Sequence, residues 1–265
     1  SCGQDITYEN NIKEDLIFLA DDKLEGRKTG TEGEKLAAKY ISERFEKLNL
    51  SDKGTENYYQ DFYFGNNNNP HEEIEFNKES DNSQIHARNV VGFLDNGGSN
   101  TVVIGAHYDH LGYGEESSLY FGDEVLIHNG ADDNASGTSL LLDLANRLAT
   151  KELKSNYLFI AFSGEEMGLL GSNYFLKNPT VSKDEINYMI NMDMVGRLNE
   201  ENKLSVSGVG SAKIFKQIVN SNNSNFNLVE FGSSSTSSFG SSDHASFYYE
   251  AVSYTHLRAH ETSTY

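Results

Sequence analysis

The sequence predicts an α/β protein, a three-layer α/β/α sandwich around a mixed, mostly parallel central sheet. Two observations carry that expectation. From about residue 89 to residue 219, short β-branched runs alternate with longer amphipathic stretches, the pattern of strands joined by crossover helices. Acidic residues and histidines cluster directly after those runs, beyond the carboxyl ends of strands, where open α/β sheets carry their functional groups.

The elements follow in chain order. Asn11 to Leu48 reads as helical: Leu16, Leu19 and Ala20 begin an apolar stripe, and Ala37, Ala38, Ile41, Phe45 and Leu48 continue one at helical spacing. Between the two, Leu24-Glu25-Gly26-Arg27 and Gly30-Thr31-Glu32-Gly33 make a glycine-punctuated loop. Gly65 to Asp81 is rich in Asn, Glu and Ser and reads as an exposed excursion. Asn89–Leu94 and Thr101–Gly105 are β-branched runs typical of strands buried on both faces. Ser136–Leu148 is a helix with Leu140, Leu141, Leu144, Ala145 and Leu148 on its apolar side. Tyr157–Phe162 is a strand, Gly168–Leu176 a helix, Tyr188–Met192 a strand, Lys203–Ser207 a shorter strand and Ala212–Val219 a helix. The serine-rich stretch Gly232–Ser242 reads as a loop.

The 265 residues and 37% hydrophobic content suit one core. They are expected to divide into an N-terminal tether over 1–10, one domain over 11–250, and a tail over 251–265. The net charge of -19 argues against nucleic acid as a partner, because neutralising phosphates takes a basic face. No apolar run approaches the ~20 residues a spanning helix needs. Cys2 is the one cysteine, so no intrachain disulfide is available. The opening Ser-Cys-Gly-Gln resembles the junction left when a bacterial lipoprotein signal is trimmed. The expectation is therefore export, with a membrane tether through a lipidated Cys2 or release outside the cell. The oligomeric state is left open.

The chemistry sits at element boundaries. His107-Tyr108-Asp109-His110 follows the Val102–Ile104 run, Glu165-Glu166 follows Leu158–Phe162, Asp193 follows Met189–Met192, and Asp132-Asp133-Asn134 opens the Ser136 helix. His107 and Asp109, two apart in extended chain, face the same way, so Asp109 can orient a neighbouring ligand as outer carboxylates do in zinc sites. Taken singly, each cluster has an ordinary explanation: a surface histidine, an Asp helix cap, a solvated Glu pair. Their strength is that all occur, in order, at boundaries. His-Glu-x-x-His, Gly-x-Ser-x-Gly and phosphate-loop patterns are absent.

Five blocks carry a resemblance: Gly105–Gly112, Asn129–Gly137, Ser163–Ser172, Asn191–Gly196 and Ser242–Phe247. Together they resemble the signature blocks of the secreted bacterial leucyl-aminopeptidase type of zinc exopeptidases, metallopeptidase family twenty-eight, and Leu24-Glu25-Gly26-Arg27 resembles that family's N-terminal block. The resemblance implies a di-zinc exopeptidase acting on peptides. Asp132 would bridge two Zn2+ ions, Glu166 would bind one, and His107 with Asp193 the other. Glu165 would be the general base, Asp109 would support the ligands, and the Asp132–Asp133 peptide would be cis. Within the same fold a glutaminyl cyclase or carboxypeptidase is the alternative, and a non-catalytic binding homologue is the third reading, which retention of Glu165 opposes.

The sequence departs from the family at its end. The last family ligand, a histidine beyond the Ser-Asp-His block, has no counterpart here, and His244 is not that residue. Ala251–Thr262 resembles the in-frame translation of a sequencing adaptor. Ala251–Tyr265 is therefore expected to pack poorly, with only Val252–Thr255 able to fall into a vacant strand position. His256 and His260 are not expected to be ligands.

Overall fold

The structure is a computed structural model that describes residues 2–65, 75–77, 83–115, 118–120, 122, 124–221, 227–230 and 242–259. Most of the Gly65–Asp81 excursion, 232–241 of the serine-rich loop, and His260 lie outside the described residues.

In chain order the elements are α1 (Cys2–Leu19), α2 (Glu32–Lys47), β1 (Ser51–Asp52), β2 (Tyr59–Gly65), β3 (Phe76–Asn77), β4 (Gln84–Leu94), β5 (Thr101–His107), α3 (Gly137–Ala149), β6 (Asn156–Phe162), α4 (Leu170–Lys177), β7 (Ile186–Met192), β8 (Lys203–Ser207), α5 (Lys213–Asn220), β9 (Asn227–Glu230), α6 (His244–Tyr249) and β10 (Ser253–Ala259). Among the described residues they build one mixed sheet in the order β3-β2-β4-β6-β5-β7-β10-β8-β9, with β1 paired to β4. The centre, β6-β5-β7-β10, is parallel. The flanks through β4 and β8 are antiparallel.

Both faces of the parallel centre are covered, which is why its strands read as unbroken apolar runs. Ile104 and Phe159 pack on one side against Leu19 of α1, Ala37, Ile41 and Phe45 of α2, and Leu141 and Ala145 of α3. Val103, Leu158 and Ile160 pack on the other against Phe175 and Leu176 of α4 and Phe247 of α6. The start of α2 is set by Thr31, whose side chain accepts from the Glu34 N–H at 3.4 Å, satisfying one of the free amides of the first turn.

Three expectations change. β2, where no strand is expected, has Phe62 and Phe64 buried against Leu170 and Tyr174; Gln60, Phe62 and Phe64 are buried in alternation with the half-buried Tyr59, Asp61 and Tyr63, the period of a strand with one buried face. The first helix, expected to start near Asn11, instead begins at Cys2, since no Pro, and no Gly after Gly3, interrupts the run to Leu19. Ser253–Ala259, expected to pack poorly beyond Thr255, instead forms an interior strand, parallel to β7 and antiparallel to β8, with Tyr254, Thr255, His256 and Ala259 buried. β7 and β8 each present an open ladder edge there, and satisfying both outweighs the low apolar content of the segment.

Candidate metal centre

The carboxyl ends of β5, β6 and β7 and the segment leading into α3 meet at one place. His107 is the last residue of β5 and is 1% exposed. Its Nδ1 lies 3.2 Å from the Asp109 carbonyl oxygen. With Nδ1–H donating to that carbonyl, Nε2 keeps its lone pair and is aimed at the cluster, the arrangement found in histidines that bind metals. Around Nε2 stand Asp133 Oδ1 at 3.3 Å, Asp193 Oδ1 at 3.5 Å and Glu165 Oε2 at 3.9 Å. A second set adjoins it: His110 Nδ1 is 2.7 Å from Glu166 Oε1, and His110, Asp133 and Glu166 bring one donor atom each within 4.8 Å of one another. His107, Glu165 and Asp193 do the same.

Of the residues expected at the site, His107, Asp193, Glu165 and Glu166 lie in these two groups. Asp109 lies behind them. Its Oδ1 accepts from the Glu165 N–H at 3.2 Å, and its Oδ2 from the Glu166 N–H at 3.3 Å and the Thr29 hydroxyl at 3.0 Å. It thereby fixes the turn that presents both glutamates.

Asp132 is a correction. Its Oδ1 accepts from the Gly196 N–H at 2.8 Å and the Ser136 hydroxyl at 3.2 Å, and its Oδ2 lies 4.0 Å from Arg197 Nε. The central position falls to Asp133, which contacts His107 and belongs to the His110–Glu166 group. Consecutive side chains leave the backbone in different directions, so only one of the two aspartates can face the cluster. The cis peptide is likewise between Asp133 and Asn134, not between Asp132 and Asp133. Asn134 is buried and holds the segment to β7: its side chain donates to the Met192 carbonyl at 3.0 Å and accepts from Met194 N–H at 3.1 Å.

Burial opposes charge on His107, but the charge of Glu165 and the contacts with Asp109, Asp133 and Asp193 outweigh it, raising its pKa well above the ordinary histidine value. Burial also works against ionised Asp193 and Asp133; their contacts with His107 prevail and lower both. Glu165 is raised, first by burial and then by the neighbouring charges of Asp243, Asp193 and Asp109. Asp243, completely buried, is raised by burial and by Asp109 and Asp193. Asp243 and His110 stand in blocks singled out from the sequence, but nothing local distinguishes them from supporting residues, because their role depends on which groups they meet across the fold.

His256 is buried one pleat deeper in the sheet. It is in register with Asn191, two residues short of Asp193. Its Nδ1 is 3.1 Å from Asn191 Nδ2, and its ring stacks on His244 at 4.4 Å between centroids.

An α/β sandwich that gathers two imidazoles and four carboxylates at its strand ends has the donor chemistry of a zinc hydrolase. The chain belongs to peptidase family M28, whose family model matches residues 89–265. It is 35% identical over 130 residues to aminopeptidase YwaD of Bacillus subtilis, covering 48% of this chain and 28% of that protein. The chain thus matches less than a third of the length of that curated relative. Among solved structures, it superposes on a Zn-dependent exopeptidase from Parabacteroides distasonis with a TM-score of 0.70 at 18% identity, covering 96% of this chain and 86% of that one. A glutaminyl cyclase from Bacteroides thetaiotaomicron gives 0.69 at 17% identity, covering 97% and 85%. The two structural likenesses show the shared α/β sandwich.

Proposed function

We propose that this chain is a di-zinc exopeptidase that releases N-terminal residues from peptides. The observation that carries the reading is Asp133, which stands between two donor groups, His107 with Asp193 on one side and His110 with Glu166 on the other. Imidazole and carboxylate are donors that suit zinc. His107, Asp193 and Asp133 would hold one ion, and Asp133, Glu166 and His110 the other. Bound zinc would supply a Lewis acid that polarises the scissile carbonyl and lowers the pKa of a water. Glu165 acts as general base, taking the proton of the attacking water and passing it to the leaving amine. Its elevated pKa means that the ionised form needs positive charge nearby, which the donors around it are arranged to gather. Asp109 keeps Glu165 and Glu166 in register through their backbone amides.

The name of the Bacillus relative supports the aminopeptidase reading, and the glutaminyl cyclase likeness sets the competitor to be tested. The experiment compares amino-acid anilides, N-blocked peptides and N-terminal glutaminyl peptides, with zinc added and with chelator. Chelator-sensitive release from free-amine anilides alone is expected. Cyclisation of glutaminyl peptides without anilide hydrolysis would replace the reading, and zinc binding without turnover of any of the three would favour a binding homologue. Export with a lipid on Cys2 is the proposed location, tested by labelling with a palmitate analogue in the host.

A further inference from the structure

Arg27 is completely buried, and all four of its described hydrogen bonds go to backbone carbonyls rather than to a carboxylate. Nε donates to Tyr108 at 2.8 Å, Nη1 to Asn129 at 2.7 Å and to Leu19, and Nη2 to Gly130 at 3.1 Å. Tyr108 lies between His107 and Asp109. Asn129 and Gly130 lead into the segment that presents Asp133. One side chain therefore joins the two loops that supply donors to both halves of the cluster.

The surrounding loop is built to bring that guanidinium in. Glu25, Gly26 and Arg27 all have positive φ, at 47°, 69° and 49°. A Cβ on Gly26 would lie 2.5 Å from the His128 carbonyl oxygen and 2.6 Å from that of Gly112, so only glycine admits the close crossing there. The Arg27 carbonyl accepts from the His110 N–H at 3.2 Å, and Thr29 bonds Asp109. Burial lowers the Arg27 pKa to about 10, opposed by the charges of Asp109, Asp133 and Glu166, so the group stays cationic at neutral pH.

We propose that Arg27 is a positioning residue for metal binding, setting the spacing between the His107–His110 loop and Asp133 through its planar fork of donors. This rests on the reading that the cluster takes zinc. A fixed fork reaches acceptors on three separate segments at once, and an ammonium, a single point of donation, does not. The positive charge would by itself repel a metal ion, so the geometric and electrostatic roles have opposite signs and can be told apart.

The test uses the whole chain with R27K and R27M. Zinc affinity and stoichiometry are measured by competition with a chromophoric chelator, and thermal melting is followed in chelator without metal. R27K is expected to fold, to melt below the wild type because buried carbonyls lose their donor, and, while folded, to bind zinc at least about tenfold more weakly, in the range seen when outer-shell partners are lost. Where turnover is measurable, kcat is expected to fall more than KM rises. Unchanged zinc affinity in R27K would reduce Arg27 to a fold element. Tighter binding in R27M with R27K like the wild type would make it a counter-charge. An R27K protein that cannot fold would also overturn the proposal, and R27M that fails to fold leaves R27K decisive. A wild-type protein that binds no zinc would refute the metal reading itself.

Discussion

His107 and His256 sit on the two strands that flank β7, β5 on one side and β10 on the other. Both are buried, at 1% and 6% exposure. His107 ends its strand and faces Asp133, Asp193 and Glu165; its pKa rises well above the ordinary histidine value. His256 lies within its strand, beside Asn191 and against the His244 ring. Burial first, then the unfavourable charge interaction with the neighbouring His244 imidazole, pushes its pKa down to about 3, against the opposing pull of Asp193. The same residue type, at similar burial in one sheet, is gathered among carboxylates in one place and packed between an amide and an imidazole in the other. Two residues of register decide between them.

The comparison is broken most directly at the chemistry around His107. E165Q is expected to lose turnover by about 10²- to 10⁴-fold, the usual contribution of a positioned base, while retaining the wild-type zinc content. Zinc and activity lost together would recast Glu165 as a ligand. The two histidines come next. H107A should weaken zinc binding by roughly 100-fold or more, a direct donor counting for more than the 10–100-fold of outer-shell groups. H256A should leave zinc affinity within about threefold. An H256A protein as impaired as H107A would mean that His256 reaches the cluster and that the contrast between them is wrong.

The neighbouring aspartates sharpen the point on a single peptide. D133N is expected to bind zinc about tenfold more weakly or worse, and D132N to stay near the wild type, because Asp132 serves Gly196 and Ser136 instead. Isothermal titration of both variants would reverse the assignment if D132N were the weaker binder.

The last effects are in stability against pH. His256 is neutral in the fold with a pKa of about 3, against 6.5 unfolded. The unfolded chain therefore binds the extra proton, and stability falls as pH drops from 6.5 toward 3, by up to about 1.4 kcal/mol per pH unit. H256F should flatten that slope in denaturant melts. Glu34 acts in the opposite sense. Burial lifts its pKa from 4.5 to about 7, opposed by bonds from Ser163, Gly30 and Tyr108. The fold holds that proton while the unfolded chain releases it, so stability falls as pH rises from 4.5 to 7. E34Q should remove this second slope and leave the first.

Much of this was legible in the sequence. The apolar runs of β5, β6 and β7 and the stripe of α3 follow from period and β-branching alone, and the clusters at their ends mark where the chemistry gathers. β2 lacks a local signal because its seven residues do not alternate apolar with polar: the buried face carries Gln60 beside Phe62 and Phe64, and the other face carries Tyr59 and Tyr63. The β-propensity of Val252–Thr255 points to a vacant strand position, but the extension of β10 to Ala259 depends on the two ladder edges it fills, which no local pattern reveals.

What the sequence determined by itself was periodic and short-range: which segments are strands or helices, that both faces of the sheet are covered, and which residue types stand at the strand ends. The tertiary structure alone decided which of two adjacent aspartates faces His107, that His110 meets Glu166, and that Arg27 ties Tyr108 to Asn129 and Gly130. The physical reason is range. Hydrophobic period is written along the chain, whereas the direction of one side chain and the charge it meets are set by groups dozens of residues away, brought within a few ångströms only when the sheet closes.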